Sequence, residues 1–301
     1  MSQPPRRGML VGVDGSAAAL AAVRWAAHDA ALRNVPLTLI HVVDAPLPEW
    51  FETASFRQWQ EKRARDVVEP AIRVAEESAG ACGALPIDSR VFHSAAATTL
   101  VDLTAGAEMV VVGSRGSGGA TARGFLGSVS SALVYHAHCP VAVIPDEGRA
   151  VTHVARAPVL VGIDGSPASE AATAIAFEEA SLRGVGLMAL HVWADPRVSG
   201  SKVSYQDSQW DAQLAEEEET LAERLAGWHE RYPEVGIRRR IEVGDPARWL
   251  IEASERAQLL VVGSHGCGRF RGALLGSVGA AVVNRAKIPV IVARGFGRRP
   301  A

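Results

Sequence analysis

Val110-Val111-Val112-Gly113-Ser114-Arg115-Gly116, closed by Gly127-Ser128, is an apolar run, a glycine-rich loop and a helix opening in succession. The pattern stands again as Leu260-Val261-Val262-Gly263-Ser264-His265-Gly266, closed by Gly276-Ser277. Strand, loop and helix N-terminus together form a layout that holds phosphate. Main-chain N–H groups and the positive end of the helix dipole converge there.

The two copies belong to a repeat that covers the chain. Leu10-Val11-Gly12-Val13-Asp14-Gly15-Ser16 recurs 150 positions later as Leu160-Val161-Gly162-Ile163-Asp164-Gly165-Ser166. Leu39-Ile40-His41-Val42-Val43 recurs as Ala189-Leu190-His191-Val192-Trp193. Beyond the glycine loops the offset falls to 149, so the first copy carries one extra residue between Gly116 and Gly127. So long a period means domain duplication, not a solenoid. The expected division is a first domain at 1–146, a linker at 147–157 and a second domain at 158–295. A chain of 301 residues is long enough for each half to bury its own core.

Within the first half, apolar runs predict strands at 9–13, 37–43, 87–92, 108–112 and 141–144. Helical patterns cover 17–33, 59–79, 98–105 and 128–138, and Pro70 is expected to interrupt the second of them. A loop is expected at 44–56. The second half repeats the series, with a loop at 195–209 and a helix at 213–231. Alternating strands and helices give an α/β fold, here two tandem doubly wound five-stranded parallel sheets. In the order 3-2-1-4-5, strands 1 and 4 are neighbours at the topological switch point, where ligands bind. The apolar last strands, 140–144 and 289–293, are expected to pair antiparallel with each other, and two chains to associate as a homodimer.

The loops that meet at the switch point define the candidate site. Gly113, Gly116 and Gly127, with Gly263, Gly266 and Gly276, let main-chain amides approach phosphate closely. Gly118, Gly119 and Gly268 extend these loops. Ser114 and Ser264 follow the strand ends, and Ser128 and Ser277 are expected to cap the helices. Arg115, Arg123, His265, Arg269 and Arg271 add positive charge. Gly12 and Gly162 lie on strand 1 beside Asp14 and Asp164, carboxylates suited to Mg²⁺. Asp44 and Asp195 follow strand 2, where an acidic residue can take ribose hydroxyls. His41 and His191 read as satisfied core histidines, with a site role as the alternative. Trp50, Trp59 and Trp210 read as closing the domain, with a cover over the adenine or a partner surface as the alternatives.

No Gly-x4-Gly-Lys-Ser/Thr supplies a phosphate-binding lysine, and no Gly-x-Gly-x2-Gly follows the first strand. No general base is apparent, so the site is built to hold a nucleotide more than to consume it. The competing possibilities are a slow ATPase or nucleotidyl-transfer enzyme, and an interaction protein with vestigial loops. A net charge of −2, with Arg238-Arg239-Arg240 alternating across a strand, speaks against nucleic acid. No apolar run is long enough to span a membrane. Three cysteines without CxxC spacing fit a reducing cytoplasm.

On these residues both halves resemble the universal stress protein family, in its tandem actinobacterial form. The ATP-binding branch carries Gly-x2-Gly-x9-Gly-Ser/Thr. Gly263, Gly266, Gly276 and Ser277 match it, and Gly113, Gly116, Gly127 and Ser128 match with a ten-residue spacer. Its strand-1 aspartate corresponds to Asp14 and Asp164, and its adenine-contacting backbone to Val42 and Val192. The resemblance implies an adenine nucleotide alpha hydrolase-like fold and ATP binding. It further implies a role in stress or slow growth, read out by an unknown protein partner.

Overall fold

The computed structural model describes residues 8–43, 54–80, 85–116, 126–146, 156–193, 207–266 and 275–294. The chain divides into two compact units, Met1–Ala150 and Val151–Ala301.

The first unit runs β1 (Met9–Val13), α1 (Ala17–Arg33), β2 (Leu37–Val43), α2 (Ala54–Ala79), β3 (Ile87–His93), α3 (Ala96–Leu103), β4 (Met109–Gly113), α4 (Ser128–His136) and β5 (Val141–Ile144). A single 3-10 turn, Thr104–Gly106, follows α3. All four pairings are parallel and the order is β3-β2-β1-β4-β5. The second unit runs β6 (Val159–Ile163), α5 (Pro167–Arg183), β7 (Leu187–Trp193), α6 (Asp207–Arg231), β8 (Ile237–Val243), α7 (Pro246–Ser254), β9 (Leu259–Gly263), α8 (Ser277–Arg285) and β10 (Val290–Ala293). Its order is β8-β7-β6-β9-β10, again all parallel. Both sheets have the expected 3-2-1-4-5 order.

The sequence explains why these elements pack. Strands β1 and β4 read as continuous apolar runs because both faces are covered: Met9, Val11, Val110 and Val111 are all but fully buried. Helix α1 is rich in alanine, and Ala22, Ala26, Ala27 and Ala30 have no exposed surface, so the helix backbone lies close to the sheet. At its end the buried Asp29 pairs with Arg33 at 2.9 Å, and Arg33 reaches Glu108, ahead of β4, at 3.3 Å. Helix α5 repeats the arrangement with Glu179 and Arg183. It adds Phe177, which is buried and stacked 5.8 Å from both Trp228 and Tyr232.

Two expectations about the long helices need correction. Pro70 does not break α2, which runs unbroken from Ala54 to Ala79. Val68 and Ala71 flank the proline and are buried, so tertiary packing outweighs the lost hydrogen bond. Both long helices also start earlier than their apolar pattern indicates, at Ala54 and at Asp207.

Gly113 and Gly263 carry close packing between sheet and helix. A Cβ on Gly113 would lie 2.7 Å from the Ala18 carbonyl carbon, and one on Gly263 would lie 2.8 Å from that of Ala168. Backbone cannot yield as a side-chain tip can. We therefore expect Gly113→Ala to destabilise the first unit by about 1–3 kcal/mol, the usual cost of overpacking. Gly106→Ala, with nothing within 4 Å of the added methyl, should cost far less. Urea unfolding of the two variants, followed by hydrogen exchange in the first unit, checks this.

Candidate functional site

The carboxyl end of β1 turns through Asp14-Gly15-Ser16 into α1. The Asp14 carboxylate accepts a hydrogen bond from Ser16 N–H through Oδ1 at 3.0 Å, and Ser16 Oγ accepts from Ala19 N–H at 3.1 Å. Gly15 has φ +82°, a conformation L side chains rarely adopt, so glycine is required at the turn. The second unit reproduces each contact: Ser166 N–H to Asp164 Oδ1 at 2.9 Å, Ser169 N–H to Ser166 Oγ at 3.1 Å, and Gly165 at φ +79°.

The β4 loop comes to the same place. Ser114 N–H donates to Ile144 O at 2.7 Å, and Gly127 N–H donates back to Ser114 O at 2.9 Å, which closes the loop onto α4. In the second unit Ser264 N–H donates to Ala293 O at 2.9 Å and Gly276 N–H to Ser264 O at 2.7 Å. The extra residue of the first loop therefore leaves its closing bond unchanged. A Cβ on Gly116 would lie 2.6 Å from Asp14 Oδ2, and a Cβ on Gly266 the same distance from Asp164 Oδ2. Each aspartate is thus held directly against its glycine loop. Ser166 Oγ also donates to His265 O at 3.2 Å and ties the two loops of the second unit together.

Several expected roles change. Gly113 and Gly263 face the first turn of α1 and α5, so the missing Cβ also serves helix packing, and Gly113 lines the cavity of the first unit as well. Ser128 and Ser277 are the first helical residues. Gly127 and Gly276 occupy the cap positions, without any side-chain cap bond. Ser264 is 1% exposed, and its hydroxyl lies 2.8 Å from the Nδ1 of His265. Gly12 packs under Leu100 and Val112, each 3.4 Å from its would-be Cβ, and Gly162 packs under Leu250. Gly118, Gly119, Arg123, Gly268, Arg269 and Arg271, with Asp44, Asp195 and Trp50, lie outside the described residues.

In the first unit the loops floor a cavity of about 520 Å³. Asp14, Arg115, Gly116, Gly127 and Ser128 line one end, and Ile40, His41, Val42 and Val43 of β2 line the other. His41 is not a core histidine. Its Nδ1 is anchored to Val13 O at 2.8 Å, and the ring forms part of the cavity wall. His191 is anchored alike to Ile163 O at 2.7 Å.

A further wall comes from α2, of which the sequence singles out only Trp59. Phe56, Trp59, Gln60, Arg63 and Val67 all line the cavity. Their spacing of three to four residues puts them on one helical face, and that period was the available signal. Trp59 is 50% exposed, stacks on Phe56 at 5.6 Å and lies under the Arg63 guanidinium at 5.0 Å. It borders the cavity, as the alternative of a cover over the site requires. Among the described residues no cluster of three or more His, Cys, Asp or Glu is arranged to hold a metal. No described helix is long and apolar enough to cross a membrane.

The universal stress protein family model matches residues 5–145 and again 156–294. The chain belongs to the universal stress protein family. A universal stress protein of Mycobacterium tuberculosis H37Rv is 49% identical over 290 residues, covering 95% of this chain and 96% of the relative. Another from the same strain is 50% identical over 298 residues, covering 98% and 99%. The crystal structure of a universal stress protein from Archaeoglobus fulgidus covers 96% of both chains at a TM-score of 0.67 and 19% identity, a likeness of fold. In this universal stress protein the paired loops are held mainly by main-chain bonds.

The two cap serines give the two units unequal sensitivity. Ser16→Ala should destabilise the first unit by about 1 kcal/mol, the usual cost of losing a helix cap. Ser166→Ala should cost the second unit more, because the hydroxyl also donates to His265 O. Hydrogen exchange at α1 and α5 reads the two effects separately.

Proposed function

We propose that this universal stress protein binds ATP at the carboxyl ends of the central strands of each unit and works as a nucleotide-dependent regulator in stress or slow growth. The observation that carries this is the contact between the Asp14 carboxylate and Gly116 at one end of a cavity of about 520 Å³. The size suits a small-molecule ligand. Along β2 and α2 the wall sets the apolar Ile40, Val42, Val43, Phe56 and Val67 beside His41, Gln60 and Arg63, and a base would lie beside Val42 and Val43. The cavity is polar at the loops, where the Gly116, Gly127 and Ser128 amides and Arg115 would meet phosphates. Val192, Gly266, Gly276 and Ser277 would do the same in the second unit.

Mg²⁺ fits the residues present. Oδ1 of Asp14 and of Asp164 accepts a main-chain N–H, and Oδ2 lies on the side of the glycine loop, where a carboxylate oxygen would meet an ion held beside the phosphates. One protein carboxylate with phosphate oxygens and waters is an ordinary magnesium arrangement, and the ion would neutralise phosphate charge. A downstream protein partner and a homodimer complete the same proposal.

Purified protein, denatured and resolved on an ion-exchange column, should release an adenine nucleotide, or the native protein should bind added ATP in calorimetry. Neither outcome occurring rejects the proposal. Gly116→Ala and Gly266→Ala push a methyl onto the aspartates and should each weaken ATP binding in their own unit by about tenfold or more, the scale of a lost charged hydrogen bond. Unchanged affinity in both rejects the placement.

A further inference from the structure

The two units differ in what α2 and α6 lay over the strand-1 turn. In the first unit Val67 covers Gly15, with its Cγ2 3.4 Å from the would-be Cβ, and Val67 lines the cavity. In the second unit the corresponding cover on Gly165 is Arg224. Its Cζ and Nη2 lie 2.4 Å and its Nη1 2.6 Å from the would-be Cβ. So even a spread of contacts means that the guanidinium lies across the turn at Asp164-Gly165-Ser166. A second contact supports the equivalence. Seven residues before Val67, Gln60 lines the cavity with His41. Seven before Arg224, Glu217 lies 3.3 Å from His191 Nε2.

Arg224 is half-buried, and among the described residues its guanidinium makes no hydrogen bond or ion pair. Glu217, on the same helix face, is engaged with His191. The first unit's own arginine on this wall, Arg63, is stacked over Trp59 one turn away. A guanidinium whose plane rests on backbone keeps its N–H edges for a planar or tetrahedral anion. The turn it covers begins at Asp164, whose carboxylate lies against Gly266.

We infer that Arg224 is an anion-binding side chain of the second unit, a ligand for phosphoryl oxygens with no counterpart at Val67. The inference rests on the nucleotide site proposed above and adds a residue that makes the two sites unequal. Replacing Arg224 leaves the loops intact but removes the charged fork. The second site then loses affinity for polyphosphate-bearing ligands and keeps its affinity for an uncharged nucleoside.

Hydrogen exchange on the intact chain tests this, with protection read separately at 13–16 and at 163–166 during titrations with ATP, adenosine and inorganic tripolyphosphate. Arg224→Val, which installs the first unit's residue, should raise the ATP and tripolyphosphate midpoints at 163–166 by about tenfold or more, the scale of a charged hydrogen bond. The midpoints at 13–16 and those for adenosine should not move. Arg224→Lys should recover part of the affinity, which separates a lost contact from a misfolded helix. Midpoints at 163–166 that are the same in wild type and Arg224→Val overturn the inference while the nucleotide site stands. If ATP protects neither turn in wild type, the nucleotide proposal falls. Tripolyphosphate protection at 163–166 that Arg224→Val removes would still sustain the anion role. Its absence from wild type overturns that role too.

Discussion

The close approach of β4 to the first turn of α1 is the constraint on which the site depends. Gly113 makes it possible, because any Cβ there would enter the Ala18 backbone. With the strand held at that depth, the residues after it emerge level with the end of β1. Gly116 then meets Asp14, and Gly127 returns to Ser114 to start α4. Gly263 plays the same part against Ala168 in the second unit. The parallel pairing of β1 with β4 brings the two loops to the same end of the sheet, and the missing side chain sets how near they come.

Much of the fold was legible in the sequence, because the repeat and the apolar runs were both strong signals. Strands buried on both faces read as unbroken runs of Val, Leu and Ile, and two copies of every element removed most ambiguity. The starts of α2 and α6 were not legible. Their first turns are polar, and helix there is held by the rest of the element more than by local preference. Pro70 misled for a related reason: a local rule gave way to burial of its neighbours.

The site was legible in outline and not in its division of labour. A glycine that lies against a carboxylate and a glycine that lies against a helix look alike in a sequence, so Gly116 and Gly113 could not be told apart. Ser128 was assigned a capping role one position from the true cap, Gly127. The α2 wall lay some fifty residues from the loops it faces, and its amphipathic period gives no hint of which cavity it borders. Those side chains became visible only when the sheet order placed α2 over β1 and β2.

The loops of both units are closed by main-chain bonds: Ser114 to Ile144, Gly127 to Ser114, Ser264 to Ala293 and Gly276 to Ser264. These closing bonds use no side chain, so the frame depends on side chains chiefly where glycine or a capping serine is required, as at Gly15, Gly113, Gly116 and Ser16. The wall from the crossing helix has no such duty. At matching places it carries Gln60 and Val67 in one unit and Glu217 and Arg224 in the other. Duplication of such a domain therefore yields two loop frames of the same kind with helix faces that can change independently. One polypeptide can thereby carry two sites of different lining without any change to its architecture.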